Sequence, residues 1–357
     1  MNKESYPYLI QNKIVHLDAS AVFPLHEKVI ESVNEAMRST LGAPGKATYP
    51  SSIKITNHTE VMRKQIADFI GADKSEIFLV SSATDAIKTI MKTWVKGASV
   101  IYSPEDHSRI VMELKKYTED TKELRYLENG EYDYSMLKSI TADFAILSSM
   151  HHMYGSTNDL SIIRQYLPTS KLIVDASQSI SRHMINVSKE GIDALFFSSQ
   201  KLGGIAGVGV LYIAARHHHS ADLSFIEPNT IPYVPLVSLS AALDVLREDT
   251  LERISIELAK KTNRLIDGLQ KNPAVLFSKG PAYPDYTCYG LGIVSFSVEG
   301  YTPQDVAMIL EKYGINVRAG DHCIDPSFVE QDVIRISAHK YTTDDEIQLL
   351  IKAIQSL

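Results

Sequence analysis

Short apolar segments alternate with amphipathic helical segments through the middle of the chain. Strands are predicted at residues 77–80, 99–102, 144–148, 171–175, 194–198 and 209–213. After the first strand, apolar side chains recur at helical spacing, at Ile87, Ile90, Met91 and Trp94. Alternation of this kind is typical of a mostly parallel sheet covered by helices, so it predicts an α/β domain.

The pattern changes from about residue 235 onward. Residues 238–259 predict one or two helices that join the sheet domain to a second unit. The tail then predicts strands at 292–298, 314–318 and 333–337 and a helix at 303–313. A closing helix starts at a capping box, Thr343-Asp344-Asp345-Glu346. Its apolar face comprises Ile347, Leu350, Ile351 and Ile354. We therefore predict a large domain over residues 15–255 and a small α+β domain formed by residues 1–14 and 256–357.

Charge and cysteine content argue against several classes of protein. Lys+Arg 36 against Asp+Glu 43 gives a net charge of -7 without a basic tract, so nucleic acid is not an expected partner. No signal peptide and no membrane span are expected, since the first residues are polar and no apolar run approaches about 18 residues. Two cysteines, Cys288 and Cys323, fit a reducing cytoplasm. The three histidines at 217–219 are interpreted as a surface loop, and no metal site is predicted.

A lysine and an aspartate stand at the ends of two predicted strands. Lys201 follows residues 194–198, and glycines come directly after it. A buried lysine cation is costly, but a neutral amine can attack an aldehyde and form a Schiff base. Asp175 ends another strand, and Gln178 follows it in an Asp-x-x-Gln pattern. A solitary strand-end lysine is usually only solvated, whereas this combination is typical of a pyridoxal phosphate (PLP) enzyme.

Other polar residues also fall at strand ends, where ligands bind in open α/β sheets. The segment Ser81-Ser82-Ala83-Thr84-Asp85 precedes a helix, so its backbone N–H groups and the Thr84 hydroxyl suit a phosphate. The alternative is an ordinary helix cap. His107 follows the next strand and is placed either to stack on a flat cofactor ring or to lie solvated in a loop. His152 and Gly155 follow the strand at 144–148.

These motifs together resemble the cysteine desulfurases of the class V aminotransferase fold group. The shared patterns are Asp175-x-x-Gln178, Ser198-x-Gln200-Lys201, Gly207-x-Gly209, the phosphate turn at 82–85, Asn229-Thr230, and Arg335-Ile336-Ser337 with Tyr341. Residues 317–323 end in Cys323 and are similar to the Arg-x-Gly-x-His-Cys loop of the second subgroup. The resemblance runs from His16 to the last helix. It implies a PLP-transferase type I fold with a seven-stranded sheet, and a homodimer.

The resemblance also implies roles for the cofactor site. Lys201 would hold PLP as a Schiff base and then move protons. Asp175 would keep the pyridine nitrogen protonated, Gln178 would bind the phenolic oxygen, and His107 would stack on the ring. The phosphate would be bound by Ala83, Thr84, Ser198 and Gln200, with Thr230 reaching it from the other subunit.

Substrate roles follow in the same way. Arg335 would bind the carboxylate of L-cysteine, because its planar fork makes two parallel charge-assisted bonds. Arg318 is also expected to bind the substrate. His152 stands where the family has an asparagine that contacts the cofactor and often the substrate. Gln200, Ser82 and residues 324–326 are further departures from the family pattern.

Cys323 is the residue that separates the possible reactions. In a desulfurase its thiolate attacks the substrate sulfur, keeps it as a persulfide for an acceptor protein, and releases alanine. His322 and Arg318 are expected to favour the thiolate form. Cys288 is interpreted as structural or incidental. The alternatives are another PLP enzyme without a catalytic thiol, such as a C–S lyase, an aminotransferase-like enzyme or an epimerase, or a relative that has lost turnover.

Overall fold

The computed structural model describes residues 3–42, 44–45, 47–219, 226–228, 230–280, 290–325, 328 and 332–357. The helices of that part are α1 (Pro7–Gln11), α2 (Glu27–Ser39), α3 (Pro50–Ile70), α4 (Ala83–Ile90), α5 (Ser108–Leu114), α6 (Leu160–Tyr166), α7 (Tyr233–Asp249), α8 (Leu251–Leu269), α9 (Pro303–Lys312) and α10 (Asp344–Gln355). The strands are β1 (Val15–His16), β2 (Ile77–Val80), β3 (Val100–Tyr102), β4 (Thr121–Glu123), β5 (Phe144–Ser148), β6 (Lys171–Asp175), β7 (Ala194–Ser198), β8 (Gly209–Ile213), β9 (Val275–Phe277), β10 (Ile293–Val298), β11 (Ile315–Asn316), β12 (Arg318–Gly320) and β13 (Val333–Ser337).

A seven-stranded sheet in the order β2-β8-β7-β6-β5-β3-β4 forms the centre of the molecule. β8 is antiparallel to both of its neighbours, and the other neighbouring pairs are parallel. Alternate residues of β5 enter different apolar cores, Phe144 and Ile146 on one face and Ala145 and Leu147 on the other. A sheet covered on both faces explains why its strands are continuous apolar runs. The predicted α/β fold with a mostly parallel sheet is confirmed.

The strands predicted for this sheet are all present, but the strand β4 at its edge was not predicted. β4 is the short polar segment Thr121-Lys122-Glu123, which pairs in parallel with β3. An edge strand contacts only one neighbour and needs no apolar run, so hydropathy did not reveal it. The predicted helix after β2 is present; it begins at Ala83, within the segment expected to precede it, and continues through a π-helical turn at Met91–Val95.

The tail forms a second, four-stranded sheet in the order β12-β13-β10-β9. β1 pairs separately with β11, so the N-terminal segment joins the tail. The closing helix has the predicted capping box from Thr343 to Glu346, and its apolar face is buried. The helical segment predicted at 238–259 is divided into α7 and α8 at Thr250, whose φ is 51°. The domain boundaries at residues 15 and 255 stay a prediction.

One buried arginine connects a core of the large sheet with the core of the small sheet. Arg182 is 1% exposed, and it donates to the carbonyls of Leu291 (2.6 Å) and Ala338 (3.0 Å) and to Oγ of Ser20 (3.2 Å). Leu291 packs in a core of the large sheet, and Ala338 packs in that of the small sheet.

Among the described helices, none is long and apolar enough to cross a membrane.

Candidate active site

The functional side chains gather at one edge of the large sheet. Ser198 lies opposite Gly209, and Gly209 also lies opposite Val80, while Ser148 lies opposite Asp175. The ends of β2, β5, β6 and β7 therefore meet at the same edge, where they surround a cavity of about 280 Å3. The predicted cofactor residues in its wall are Ala83, Thr84, His107, His152, Asp175, Gln178, Ser198, Gln200 and Lys201.

The N-terminus of α4 forms one end of this cavity. Ser82 is the N-cap, and its side chain accepts a hydrogen bond from the Asp85 N–H (3.1 Å). The backbone of this turn lies so close to Gly209 that a Cβ there would come within 2.6 Å of the carbonyl carbon of Ser82. Thr84 also lies on the wall. Helix N-termini bind anions through free N–H groups and the helix dipole. Because the N-terminus of α4 lies in the cavity wall, it is suited to bind a phosphate group.

Lys201, Gln178 and Asp175 lie at the centre of the wall. Lys201 Nζ and Gln178 Nε2 both donate to the Ser20 carbonyl, the latter at 3.1 Å. Burial, and then the nearby Arg335, lower the pKa of Lys201 to about 8 against the opposing effect of Asp175. The Asp175 carboxylate accepts from the Ser177 N–H at 2.8 Å. The amine of Lys201 is therefore much more often neutral than an ordinary lysine.

Two histidine rings lie together on the same wall. The centroids of His107 and His152 are 5.3 Å apart. His107 Nδ1 accepts from the Arg109 N–H (3.2 Å), which places the proton of the neutral ring on Nε2. Burial lowers the pKa of His107, and burial also holds the pKa of His152 well below its usual range. His152 is 5% exposed, and its Nε2 has no hydrogen-bond partner among the residues that the structure describes, so a polar ligand atom would satisfy it.

Arg335 lies beside the cavity rather than in its wall. It is 3% exposed and donates to the His152 carbonyl (3.0 Å) and to the Asp18 carboxylate (3.0 Å). Its Nε is buried without an acceptor. Burial lowers the pKa of Arg335, whereas Asp18 opposes that effect. The guanidinium is thus fixed next to the cavity, and its Nε–H is still available to donate to a ligand.

Cys323 lies on the loop between β12 and β13 and is half-buried. Its carbonyl accepts from the Ser108 N–H (2.7 Å), which fixes the loop beside His107. His322 and Cys323 both have positive φ, 54° and 65°. Burial, and then Arg335, lower the pKa of His322 to about 4, so it is neutral at pH 7. The expected effect of His322 and Arg318 on the Cys323 thiol stays a prediction.

Some predicted residues lie away from the cavity. Thr230 is exposed and does not belong to the wall as described. Cys288 and Asn229 fall outside the described residues. His217 lies 2.6 Å from a carboxylate oxygen of Asp193, in a segment at the surface.

Sequence reasoning missed the contribution of the N-terminal segment. Asp18 and Ser20 contact Arg335, Gln178 and Lys201, although they precede these residues by more than 150 positions. Arg109, on the wall next to His107, was also missed. No local pattern marks any of these three residues as part of a site.

Comparison with known proteins identifies the family. The family model described as Aminotransferase class-V matches residues 15–350. The chain belongs to this family. The class-V match spans both sheets and every residue of the site described above. The subgroup predicted from the Cys323 loop stays a prediction.

Individual relatives of this class-V chain are named as cysteine desulfurases. Cysteine desulfurase IscS of Histophilus somni is 27% identical over 379 residues, covering 96% of this chain and 92% of the relative. Among solved structures, a cysteine desulfurase from Thermococcus onnurineus NA1 has a TM-score of 0.91 and 22% identity, over 99% of this chain and 96% of the other. CsdA from Escherichia coli has a TM-score of 0.83 and 21% identity, with the same coverage. This likeness confirms the predicted PLP-transferase fold.

The residues of the cavity fit PLP. The cavity approaches the size of typical small-ligand pockets and has the α4 N-terminus for a phosphate, the Asp175 carboxylate for a pyridinium nitrogen and the Lys201 amine for an aldehyde. The Nε2 of His152 supplies a further polar group, since no described residue is its hydrogen-bond partner. Gly209 keeps the phosphate turn close to β8. This donor set is chemically complete for the cofactor.

The lowered pKa of Lys201 leads to an expected pH dependence. Only the neutral amine attacks an aldehyde, and the pKa of about 8 makes half of Lys201 neutral at that pH. The rate at which the apoprotein binds PLP should therefore rise with pH to a plateau, with a midpoint near 8, as measured by stopped-flow absorbance. A midpoint near 10.5, the ordinary lysine value, would contradict the burial argument.

Proposed function

We propose that this protein is a PLP-dependent L-cysteine desulfurase that forms alanine and a persulfide on Cys323. The observation that carries the proposal is the position of the Cys323 loop. Its carbonyl accepts a hydrogen bond from the Ser108 N–H, and Ser108 follows His107 of the cavity wall, so the backbone of the thiol-bearing residue is held close to a cavity that fits PLP. The names of the relatives and the family membership support the same reaction.

The substrate is bound by groups around the cavity. Arg335, fixed by Asp18 and the His152 carbonyl, binds the carboxylate of L-cysteine. Bound PLP supplies an electron sink for the carbanion at the substrate Cα. Lys201, which is often neutral because of its lowered pKa, removes and returns protons at Cα. His107 would hold the cofactor ring by stacking, and with its proton on Nε2 it would be available to protonate the substrate carbon that loses sulfur.

The sulfur step balances without an external oxidant. The Cys323 thiolate attacks the substrate sulfur, so the S–S bond forms while the Cβ–S bond breaks. The electron pair of the broken bond stays on Cβ, which takes up a proton and becomes the methyl group of alanine. Carbon is thereby reduced and sulfur oxidised.

The proposal includes a homodimer and an acceptor. Thr230 is exposed and lies off the cavity of its own chain, which is compatible with a contact to the cofactor phosphate of a second subunit. The half-buried Cys323 must release its sulfur, so a sulfur-acceptor protein is the expected partner. With two cysteines in the chain, the proposed compartment is the reducing cytoplasm.

A single incubation tests this reaction. Purified PLP-loaded protein is mixed with L-cysteine, and the amino-acid product and the mass of the Cys323 peptide are analysed together. We expect alanine, and a Cys323 peptide heavier by one sulfur atom. Formation of pyruvate and ammonia with an unmodified Cys323 would contradict the proposal and favour the C–S lyase. If neither product forms, turnover is absent and the proposal fails.

A further inference from the structure

Asp18 holds the guanidinium of Arg335 in place. Its Oδ1 accepts from one terminal nitrogen at 3.0 Å, and the His152 carbonyl accepts from the other at 3.0 Å. The Arg335 side chain is 3% exposed and that of Asp18 is 21% exposed. Two acceptors on different nitrogens fix both the position and the plane of the fork.

These two bonds leave capacity for a ligand. A guanidinium has five N–H donors, and two of them are used by Asp18 and His152. The buried Nε has no acceptor in the described structure. An unpaired buried donor is costly, so its persistence indicates that a ligand completes the set. A carboxylate accepts from two parallel N–H groups, and three N–H groups of Arg335 remain after the bonds to Asp18 and His152.

Asp18 therefore does not need to leave when a carboxylate arrives. It also belongs to the segment whose Ser20 carbonyl accepts from Lys201 and Gln178. The neighbouring β1 pairs with β11 of the tail, while Ser337 Oγ accepts from the Ser20 N–H at 2.9 Å. The segment is thus anchored on the strand that carries Arg335, which keeps the carboxylate of Asp18 in a constant position.

We propose that Asp18 is the positioning residue of the substrate-carboxylate site, which orients Arg335 toward an amino acid with a single α-carboxylate. This inference rests on the proposed function for the identity of the substrate. It assigns Asp18 an effect through Arg335 and no contact with the reacting atoms. The effect is specific to ligands that carry the carboxylate, which separates it from a general role in folding.

The test compares two ligands of the PLP-loaded enzyme. L-Alanine has the carboxylate, and ethylamine is the same molecule without it; each is titrated while the visible absorbance of the enzyme is recorded. The D18N variant keeps the shape of the side chain but removes its charge. We expect it to bind alanine about tenfold more weakly, the size of a lost charge-assisted bond, with ethylamine binding unchanged. In turnover, KM for L-cysteine should rise more than kcat falls.

A matched control comes from a second half-buried pair. Asp249 accepts from the buried Lys340 at 2.9 Å, and the two side chains are 22% and 4% exposed, close to the values of Asp18 and Arg335. D249N should therefore leave the binding of both ligands unchanged. Tighter alanine binding by D18N would show that Asp18 competes with the substrate, and equal binding would show that Asp18 does not affect the carboxylate site; either result would overturn the proposal.

Two other outcomes also decide the question. If D18N loses alanine and ethylamine binding equally, or fails to load PLP while D249N loads normally, Asp18 is a structural residue and the proposal is wrong. If the wild-type enzyme makes no alanine from cysteine, but D18N still binds alanine specifically more weakly, the proposed function fails and the positioning role stands.

Discussion

Replacing Cys323 by alanine is expected to abolish the formation of alanine and of persulfide from L-cysteine. The loss should be on the order of 1,000-fold or more, as when the nucleophile is removed from other enzymes that work through a covalent step. Cys323 does not belong to the cavity wall as described, so the variant should keep its bound PLP and its visible absorbance. Rates of alanine formation and the absorbance spectrum measure the two properties separately.

The second cysteine of the chain provides the control for this variant. Cys288 has no assigned role, so Cys288→Ala should keep wild-type turnover. Cys323→Ser keeps nearly the same volume but supplies a poor nucleophile toward sulfur, and it should fail like the alanine variant. Full activity of Cys323→Ala would exclude the persulfide route and leave a PLP enzyme without a catalytic thiol.

Gly209→Ala is expected to weaken PLP binding by about 10- to 100-fold. A Cβ at this position would lie 2.6 Å from the Ser82 carbonyl carbon and 3.0 Å from the Ala83 nitrogen, so the phosphate turn must move away from β8. Overpacking of this kind costs about 1–3 kcal/mol. Because the displaced atoms are backbone of the predicted phosphate site, the cost falls on the cofactor, and equilibrium titration of the apoprotein with PLP measures it.

Gly268→Ala separates this effect from a general loss of stability. Gly268 is also crowded, since its Cβ would come within 2.3 Å of the Ile351 side chain between α8 and α10. That variant should lower the thermal midpoint while leaving PLP affinity unchanged. If Gly209→Ala binds PLP as tightly as the wild type, the turn at Ser82 does not hold the phosphate.

The large sheet was predictable because its strands are covered on both faces. Residues 144–148 and 194–198 form unbroken apolar runs, and a run of that kind has few alternative structures. β9 has only three residues and was missed, and the strand predicted at 314–318 is divided between two sheets as β11 and β12. In these cases the partner strand decides the structure, and no local pattern records which partner it is.

The position of the break between α7 and α8 was not predictable for a similar reason. Thr250 has a φ of 51°, a conformation that is unusual for a β-branched residue, and its side chain caps α8 by accepting from the Arg253 N–H. The helical pattern at 238–259 contains neither glycine nor proline. It therefore predicted one or two helices without locating the residue at which they separate.

The candidate site was predictable where one residue type is chemically required. Lys201, Asp175 and Arg335 each follow from the chemistry of the cofactor or of a carboxylate, and motif spacing located them. Asp18 carries no such requirement, since a carboxylate near the N-terminus has many possible partners. Its contact with Arg335 joins residues 317 positions apart, which only the folded chain brings together.

The hydrogen bonds of Arg182 make the two apolar cores one cooperative unit. Separating the cores would remove the Leu291 and Ala338 carbonyls from the same buried cation, along with the Ser20 hydroxyl. A buried cation without acceptors is far more costly than any single lost contact between the cores. Partial opening is therefore disfavoured relative to complete unfolding, and the smallest part of this chain that folds stably contains both sheets.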